Sequence, residues 1–229
     1  MQPKTSAGAC GLAQVRFSLS EDYDGGDYMK RFSDILFSLI LFSILSPLLL
    51  IIILVIKVDS KGPALFSQRR IGRNNKEFVL YKFRTMRTEA PNVATHLLKD
   101  PQSYITSFGN FLRKSSLDEL PQLLNIIKGD MTFIGPRPAL YNQYDLIKLR
   151  TRCGVHTLRP GVSGWAQVNG RDCLEISQKV DYDYYYLKHH SLAFDIKILF
   201  FTVLKVLRAE GVREGTRNPN RVEKRESSM

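Results

Sequence analysis

Two adjacent carboxylates set among cations are the residues of this chain best suited to chemistry at phosphorus: Arg113-Lys114-Ser115-Ser116-Leu117-Asp118-Glu119-Leu120-Pro121-Gln122. If a helix begins near Asp118, Pro121 falls in its first turn, where a missing amide hydrogen breaks no internal bond, and the exposed amides favour an anion. A carboxylate kept ionised there can attack phosphorus to form an acyl phosphate. A neighbouring carboxylate with a divalent cation would offset its repulsion from a pyrophosphate. The same residues admit a structural reading, because Ser116 and Glu119 have the S-x-x-E spacing of a capping box. Pro121 opposes that reading. With Ser116 as the cap, the proline would lie past the first turn and remove a helical bond, at a cost of about 3 kcal/mol.

A second constellation, Gly129-Asp130-Met131-Thr132-Phe133-Ile134-Gly135-Pro136-Arg137-Pro138, brackets one arginine between two prolines after a glycine. The backbone there is stiff, and a rigidly displayed guanidinium suits bidentate capture of phosphate oxygens. A turn carrying a surface ion pair fits the same residues. The third stretch, Leu158 to Arg171, is glycine-rich and holds the only tryptophan, Trp165. It can approach a nucleotide or a membrane interface, or simply turn a corner. It has the spacing of neither a Walker phosphate loop nor a dinucleotide fingerprint.

These residues must be carried by elements that the pattern also predicts. From Ile35 to Ile56 the chain runs 22 residues without a charge, enough to span a hydrocarbon layer of roughly 30 Å at about 1.5 Å per helical residue. Ser46 and Pro47 fall at its midpoint, where proline removes a donor and predicts a break. Basic residues flank both ends, Lys30 and Arg31 before and Lys57 and Lys61 after. A crossing helix shows that bias on one side only. A kinked crossing helix and a helix that enters, bends and returns to the same face both remain open on this pattern. In the second case the serine hydroxyl is available to a freed carbonyl.

The following stretch, residues 57–89, holds nine Lys or Arg against three acidic residues, a large share of the chain's net charge of +11. That is a juxtamembrane basic patch, and the overall charge calls for anionic partners. Within it, residues 64–68 and 78–84 read as strands of a hairpin joined by the loop 69–76. Leu117 to Ile127 reads as a short packed helix stopped by Gly129. Leu192 to Leu207 is too short and too charged to span, and reads as an amphipathic interfacial helix or a core helix. The spacing of Cys10, Cys153 and Cys173 suggests reduced thiols rather than a disulfide framework or a zinc site. The expected organisation is a disordered tail over 1–28, a membrane helix over 29–57, a catalytic domain over 58–207 and a charged tail over 208–229. The expected fold class is mainly α with a small β-hairpin.

Taken in order, the motifs resemble those of the bacterial sugar transferases, the monotopic polyprenyl-phosphate phosphoglycosyl transferases, in their minimal catalytic form. The resemblance rests on Lys30-Arg31, Asp34, Ser46-Pro47, Asp59-Ser60-Lys61-Gly62-Pro63, Phe66-Ser67-Gln68-Arg69-Arg70-Ile71-Gly72 and Tyr81-Lys82-Phe83-Arg84-Thr85-Met86. It continues through Ser116 to Gln122, Gly135-Pro136-Arg137-Pro138, Arg159-Pro160-Gly161 and Gly164-Trp165-Ala166-Gln167. It implies a monotopic protein of the bacterial inner membrane with a re-entrant helix hairpin broken at Ser46-Pro47 and its catalytic domain on the cytoplasmic face. It also implies transfer of a sugar-1-phosphate from a UDP-sugar to polyprenyl phosphate for surface polysaccharide synthesis. Asp118 would be the nucleophile and UMP the leaving group, Glu119 would help hold Mg2+ with Asp118, and Arg113, Arg137, Lys82 and Arg84 would bind the donor. Membrane lipids are expected partners, nucleic acid is not, and assembly into a homo-oligomer is left open. One departure stands out: Tyr104 precedes Ile105-Thr106 where the family usually has an arginine. The alternatives are a glycosyltransferase that releases UDP and a non-catalytic basic membrane anchor.

Overall fold

The computed structural model describes residues 24–90, 101–170 and 173–207. Most of the expected N-terminal tail and all of the C-terminal tail lie outside them, although the first helix starts at Asp24, inside the expected tail. Helix α1 (Asp24–Asp59) runs without interruption through Pro47. The break expected there does not divide it into two helices, and the local chemistry gives the reason. Proline leaves the carbonyl four residues back without its donor, and the Ser46 hydroxyl donates to that carbonyl, on Ser43, at 2.9 Å.

One stripe of α1 faces the rest of the chain from Asp34 to Ile56. Asp34, Ser38, Leu49, Ile52 and Ile56 are buried, with Phe42, Leu45 and Ile53 partly so. The opposite stripe, including Phe37, Ile40, Ile44, Ile51 and Leu54, is exposed and apolar. Among the described residues it is the one helix long and apolar enough to cross a membrane. Its N-terminal turns are held by polar bonds. Lys30 Nζ donates to the Ile134 carbonyl, to Tyr186 Oη and to Asp195. Arg31 donates to the carbonyls of Ile126 and Ile127, and Asp34 accepts from Thr132.

The expected hairpin is present as β1 (Leu65–Ile71) and β2 (Glu77–Phe83), and a short β4 (Ala139–Leu140) completes an antiparallel sheet in the order β2-β1-β4. β1 is longer than the sequence suggested: Arg69, Arg70 and Ile71 belong to the strand, not to the loop. Strand β2 is an edge whose free backbone groups need partners. Asn125, fully buried on α3 (Gln122–Lys128), supplies them: its Oδ1 accepts from Tyr81 N and its Nδ2 donates to Val79 O. One amide side chain thus stands in for a neighbouring strand and fixes α3 against β2.

The remaining elements are α2 (Ser107–Ser115), β3 (Thr132–Ile134), α4 (Tyr144–Arg152), β5 (Gly161–Ser163), α5 (Trp165–Asn169), α6 (Ile176–His189) and α7 (Leu192–Leu207). β3 and β5 form a parallel pair that periodicity did not foretell. α7 buries Ile198, while Leu192, Ile196, Leu199, Phe200 and Val203 stay exposed. Most of its apolar side chains thus lie outside the core. Cys173 is a free, exposed thiol.

Candidate active site

The acidic pair sits at a reversal of the chain. Ser116 closes α2 with φ 58°, a left-handed conformation, and leads into a single 3-10 turn over Leu117–Glu119. The Ser116 side chain makes no cap bond, so the capping-box reading does not describe this turn. Pro121 occupies the N-cap of α3, and Gly129 ends that helix at φ 101°. The helix therefore begins four residues after Asp118 rather than at it. Leu117 and Leu120 pack into the apolar cluster with Leu49, Ile52 and Ile56 of α1. The two carboxylates between them lie instead beside cations from β2 and the loop after β3.

Glu119 Oε1 accepts from Lys82 Nζ at 2.6 Å and from Arg137 Nη2 at 3.0 Å, and Lys82 Nζ lies 3.7 Å from Asp118 Oδ2. Asp118 is buried. Burial pushes its carboxyl above the usual range and Glu119 adds to that, while Lys82 above all, then Arg113 and Arg137, pull it down. Ionisation of Asp118 thus depends on surrounding side-chain cations, not on the helix N-terminus that the sequence suggested.

Arg113 is oriented by a bond from its Nε to Thr85 Oγ1 at 2.9 Å. Gly109 makes that approach feasible, since a Cβ there would collide with the Thr85 carbonyl. Arg84 does not join the group. It donates to the carbonyls of Ser60 and Lys61 and to the Ser60 hydroxyl, tying down the chain that leaves α1. Tyr104 offers its carbonyl to Arg87 N.

The loop carrying Arg137 is fixed from behind. Gly135 N donates to Ser163 O, and Gly161 N to Pro136 O. The backbones come so close that a Cβ on Gly161 would overlap the Gly135 nitrogen. The glycine-rich third stretch therefore supports the arginine loop, and Trp165 packs with Tyr182, Tyr185 and Phe194 between helices. Arg150 Nη1 donates to the Arg137 carbonyl at 2.8 Å, while its Nε and Nη2 grip Asp183 Oδ2 at 3.0 and 2.6 Å. Arg70 Nη1 donates to the adjacent Pro138 carbonyl at 3.1 Å.

Sequence reasoning missed Arg70, Arg150 and Asp183. Arg70 was hidden by the length of β1, since residues 69–71 read as loop: Phe66 pairs with Lys82, so Gln68 and Arg70 share the lysine's face of the hairpin. Burial, then the nearby Arg137, lowers the Arg70 pKa to about 10, against an opposing pull from Glu119.

Among the described residues no three His, Cys, Asp or Glu side chains gather as a metal site. The acidic pair matches the lesser demand of Mg2+, which commonly uses one or two carboxylates and completes its shell with water and substrate phosphates.

Two adjacent carboxylates, with Lys82 and Arg137 bonded to one of them, thus lie beside a long apolar helix. The chain belongs to the bacterial sugar transferase family, which it matches over residues 26–209. It is 39% identical over 186 residues to an uncharacterized sugar transferase, EpsL, of Bacillus subtilis, covering 81% of this chain and 91% of that protein. It is 38% identical over 192 residues to the UDP-N-acetylgalactosamine-undecaprenyl-phosphate N-acetylgalactosaminephosphotransferase of Aeromonas hydrophila, covering 81% of this chain and 45% of that one. It is 39% identical over 186 residues to the UDP-glucose:undecaprenyl-phosphate glucose-1-phosphate transferase of Escherichia coli, covering 77% and 40%. The match thus spans less than half the length of these two relatives.

Proposed function

We propose that the chain transfers a sugar-1-phosphate from a UDP-sugar to polyprenyl phosphate, of the undecaprenyl type, in the first membrane step of surface polysaccharide synthesis. The observation that carries this reading is the buried Asp118 beside Glu119, with Lys82 and Arg137 bonded to the neighbouring carboxylate. The names of the relatives from A. hydrophila and E. coli agree with it.

In this reading an Asp118 oxygen attacks the phosphorus that bears the sugar. The bond from that phosphorus to the bridging oxygen breaks, and UMP leaves with the electron pair. A phosphate oxygen of the polyprenyl phosphate then attacks the same phosphorus and restores the Asp118 carboxylate. Arg137, braced by prolines and by Arg150, and Arg113, oriented by Thr85, neutralise donor charge without having to be ordered first. Lys82 balances both acids. Asp118 and Glu119 would hold Mg2+, whose charge offsets repulsion between carboxylate and pyrophosphate. Incubating purified protein and Mg2+ with a panel of UDP-sugars and polyprenyl phosphate should release UMP from at least one donor. Release of UDP instead would overturn the reading in favour of plain glycosyl transfer.

The same reading holds α1 in one leaflet of the bacterial inner membrane, with both ends and the catalytic domain on the cytoplasmic face. A crossing helix carries about 20 residues through hydrocarbon away from its soluble domain. α1 leaves no such stretch, since residues from Asp34 to Ile56 pack on the domain at helical spacing. Exposed apolar side chains on α1 and α7 supply the lipid contacts. Single cysteines placed at the exposed Tyr28 and Val58 in a cysteine-free background should both resist an impermeant thiol reagent in intact spheroplasts. Both should react in inverted vesicles. Labelling of residue 28 alone from outside would show a crossing helix.

A further inference from the structure

A large apolar side chain opens to solvent on the face of the hairpin that carries Lys82. Phe66 is the cross-strand partner of Lys82, so the two side chains leave the same face as neighbours. Lys82 in turn bonds Glu119 at 2.6 Å and lies 3.7 Å from Asp118. On that face Leu80 is buried, and Gln68, Arg70 and Phe78 are partly covered. Phe66 keeps 37% of its surface exposed. A phenyl ring left in water beside charged groups adds little to folding, and it offers an apolar contact to whatever enters.

The place of Phe66 in the fold says which substrate that is. The open end of the hairpin is fastened to the end of α1: Ala64 and Phe83 pack with Leu49, Ile52 and Ile56, and Arg84 bonds the carbonyls of Ser60 and Lys61. Phe66 therefore stands at the end of the hairpin that adjoins α1, where Leu54 and Val58 are exposed. Of the two substrates only the acceptor has an apolar chain, and it carries that chain one oxygen away from the phosphate that must reach Asp118. Each methylene drawn from lipid into water costs about 0.8 kcal/mol. The isoprene units next to the phosphate thus need apolar contact inside the site.

We propose that Phe66 contacts the first isoprene units of the polyprenyl phosphate and so guides the acceptor phosphate from the lipid beside α1 to the phosphorus held on Asp118. The proposal rests on the two-step transfer described above, and gives its second step a binding residue that the first step does not use.

The test separates the two half-reactions of the full chain in detergent with Mg2+, using undecaprenyl phosphate and a UDP-sugar from which the wild type releases UMP. Phe66→Ala should raise the KM for undecaprenyl phosphate about tenfold, the scale of the apolar area that a partly exposed phenyl ring can still bury. The donor KM, and the phosphosugar adduct formed without acceptor, should stay at wild-type levels. Phe66→Leu, which keeps an apolar side chain, should recover most of the loss. Binding of Phe66→Ala to vesicles of phosphatidylethanolamine and phosphatidylglycerol should match the wild type. An unchanged acceptor KM in Phe66→Ala overturns the proposal. A donor KM that rises, with or without the acceptor's, also overturns it and assigns the ring to the nucleotide sugar or to the site as a whole. Weakened vesicle binding overturns it in favour of a contact with bulk lipid. If Phe66→Ala does not fold, Phe66→Thr, a polar residue that favours strands, is judged by the same outcomes. A wild type that releases no UMP from any donor removes the transfer reading itself, and the proposal with it.

Discussion

Asp118→Asn is expected to lower turnover by about 10^3- to 10^6-fold, the range seen when a covalent nucleophile is removed from an otherwise intact site. The exchange keeps the shape of the side chain and replaces an attacking oxygen anion with a neutral amide. Stability should hold or rise. Burial and Glu119 both disfavour the Asp118 charge, and the amide removes that penalty while leaving Lys82 its shorter contact to Glu119. The same carboxyl sets the acid limb of the wild-type pH profile. Its pKa is raised, so the ionised nucleophile is lost, and turnover falls, at a higher pH than for an exposed aspartate. UMP release with a melting curve for each variant checks both points, and mass analysis of the Asp118 peptide should find a phosphosugar adduct in the wild type alone. Turnover retained in Asp118→Asn would remove the nucleophile and favour a non-catalytic role for the acidic pair.

The parts of the site legible in the sequence were those written locally. Asp118, Glu119 and Arg137 each lie in a short stretch whose prolines and glycines limit the backbone, and Lys82 lies on a strand that alternation could find. The mainly helical class with a small sheet was legible for the same reason, since long apolar runs and helical spacing are strong signs. What failed was anything decided by contact between distant segments. Arg70 looked like part of a cationic loop because nothing in residues 69–71 announces pairing with both β2 and β4. The three-residue strands β3 and β5 are too short to show a period and exist because their glycines let two backbones meet. Arg84 and Arg113 look alike as cations near a motif, yet one is spent on carbonyls after α1 and the other points its Nε at Thr85. α1 continues through Pro47 with the Ser46 hydroxyl bonded to the Ser43 carbonyl, a contact that the sequence offered but could not weigh.

Asp183 and Arg150 show how far such distant contacts govern the chemistry. Their side chains are 1% and 11% exposed and joined at 2.6 Å, so Asp183→Ala leaves a guanidinium buried without its counter-charge. That should cost about 3–5 kcal/mol of stability, a fall in melting temperature on the order of 10 °C for a domain of this size. Loss of activity in that variant would say little by itself, because a partly unfolded protein is also inactive. The double variant Arg150→Met with Asp183→Leu separates the two effects. Replacing both members of a buried pair with apolar groups of similar volume is often neutral or stabilising, so most of the lost stability should return. Turnover should not return with it, because the Arg137 carbonyl would still lack the Arg150 Nη1 donor that fixes the loop. The deficit should appear mainly as a raised KM for the sugar nucleotide. A double variant that is both stable and fully active would show that the prolines and β5 hold Arg137 unaided, and that Arg150 and Asp183 serve the fold alone.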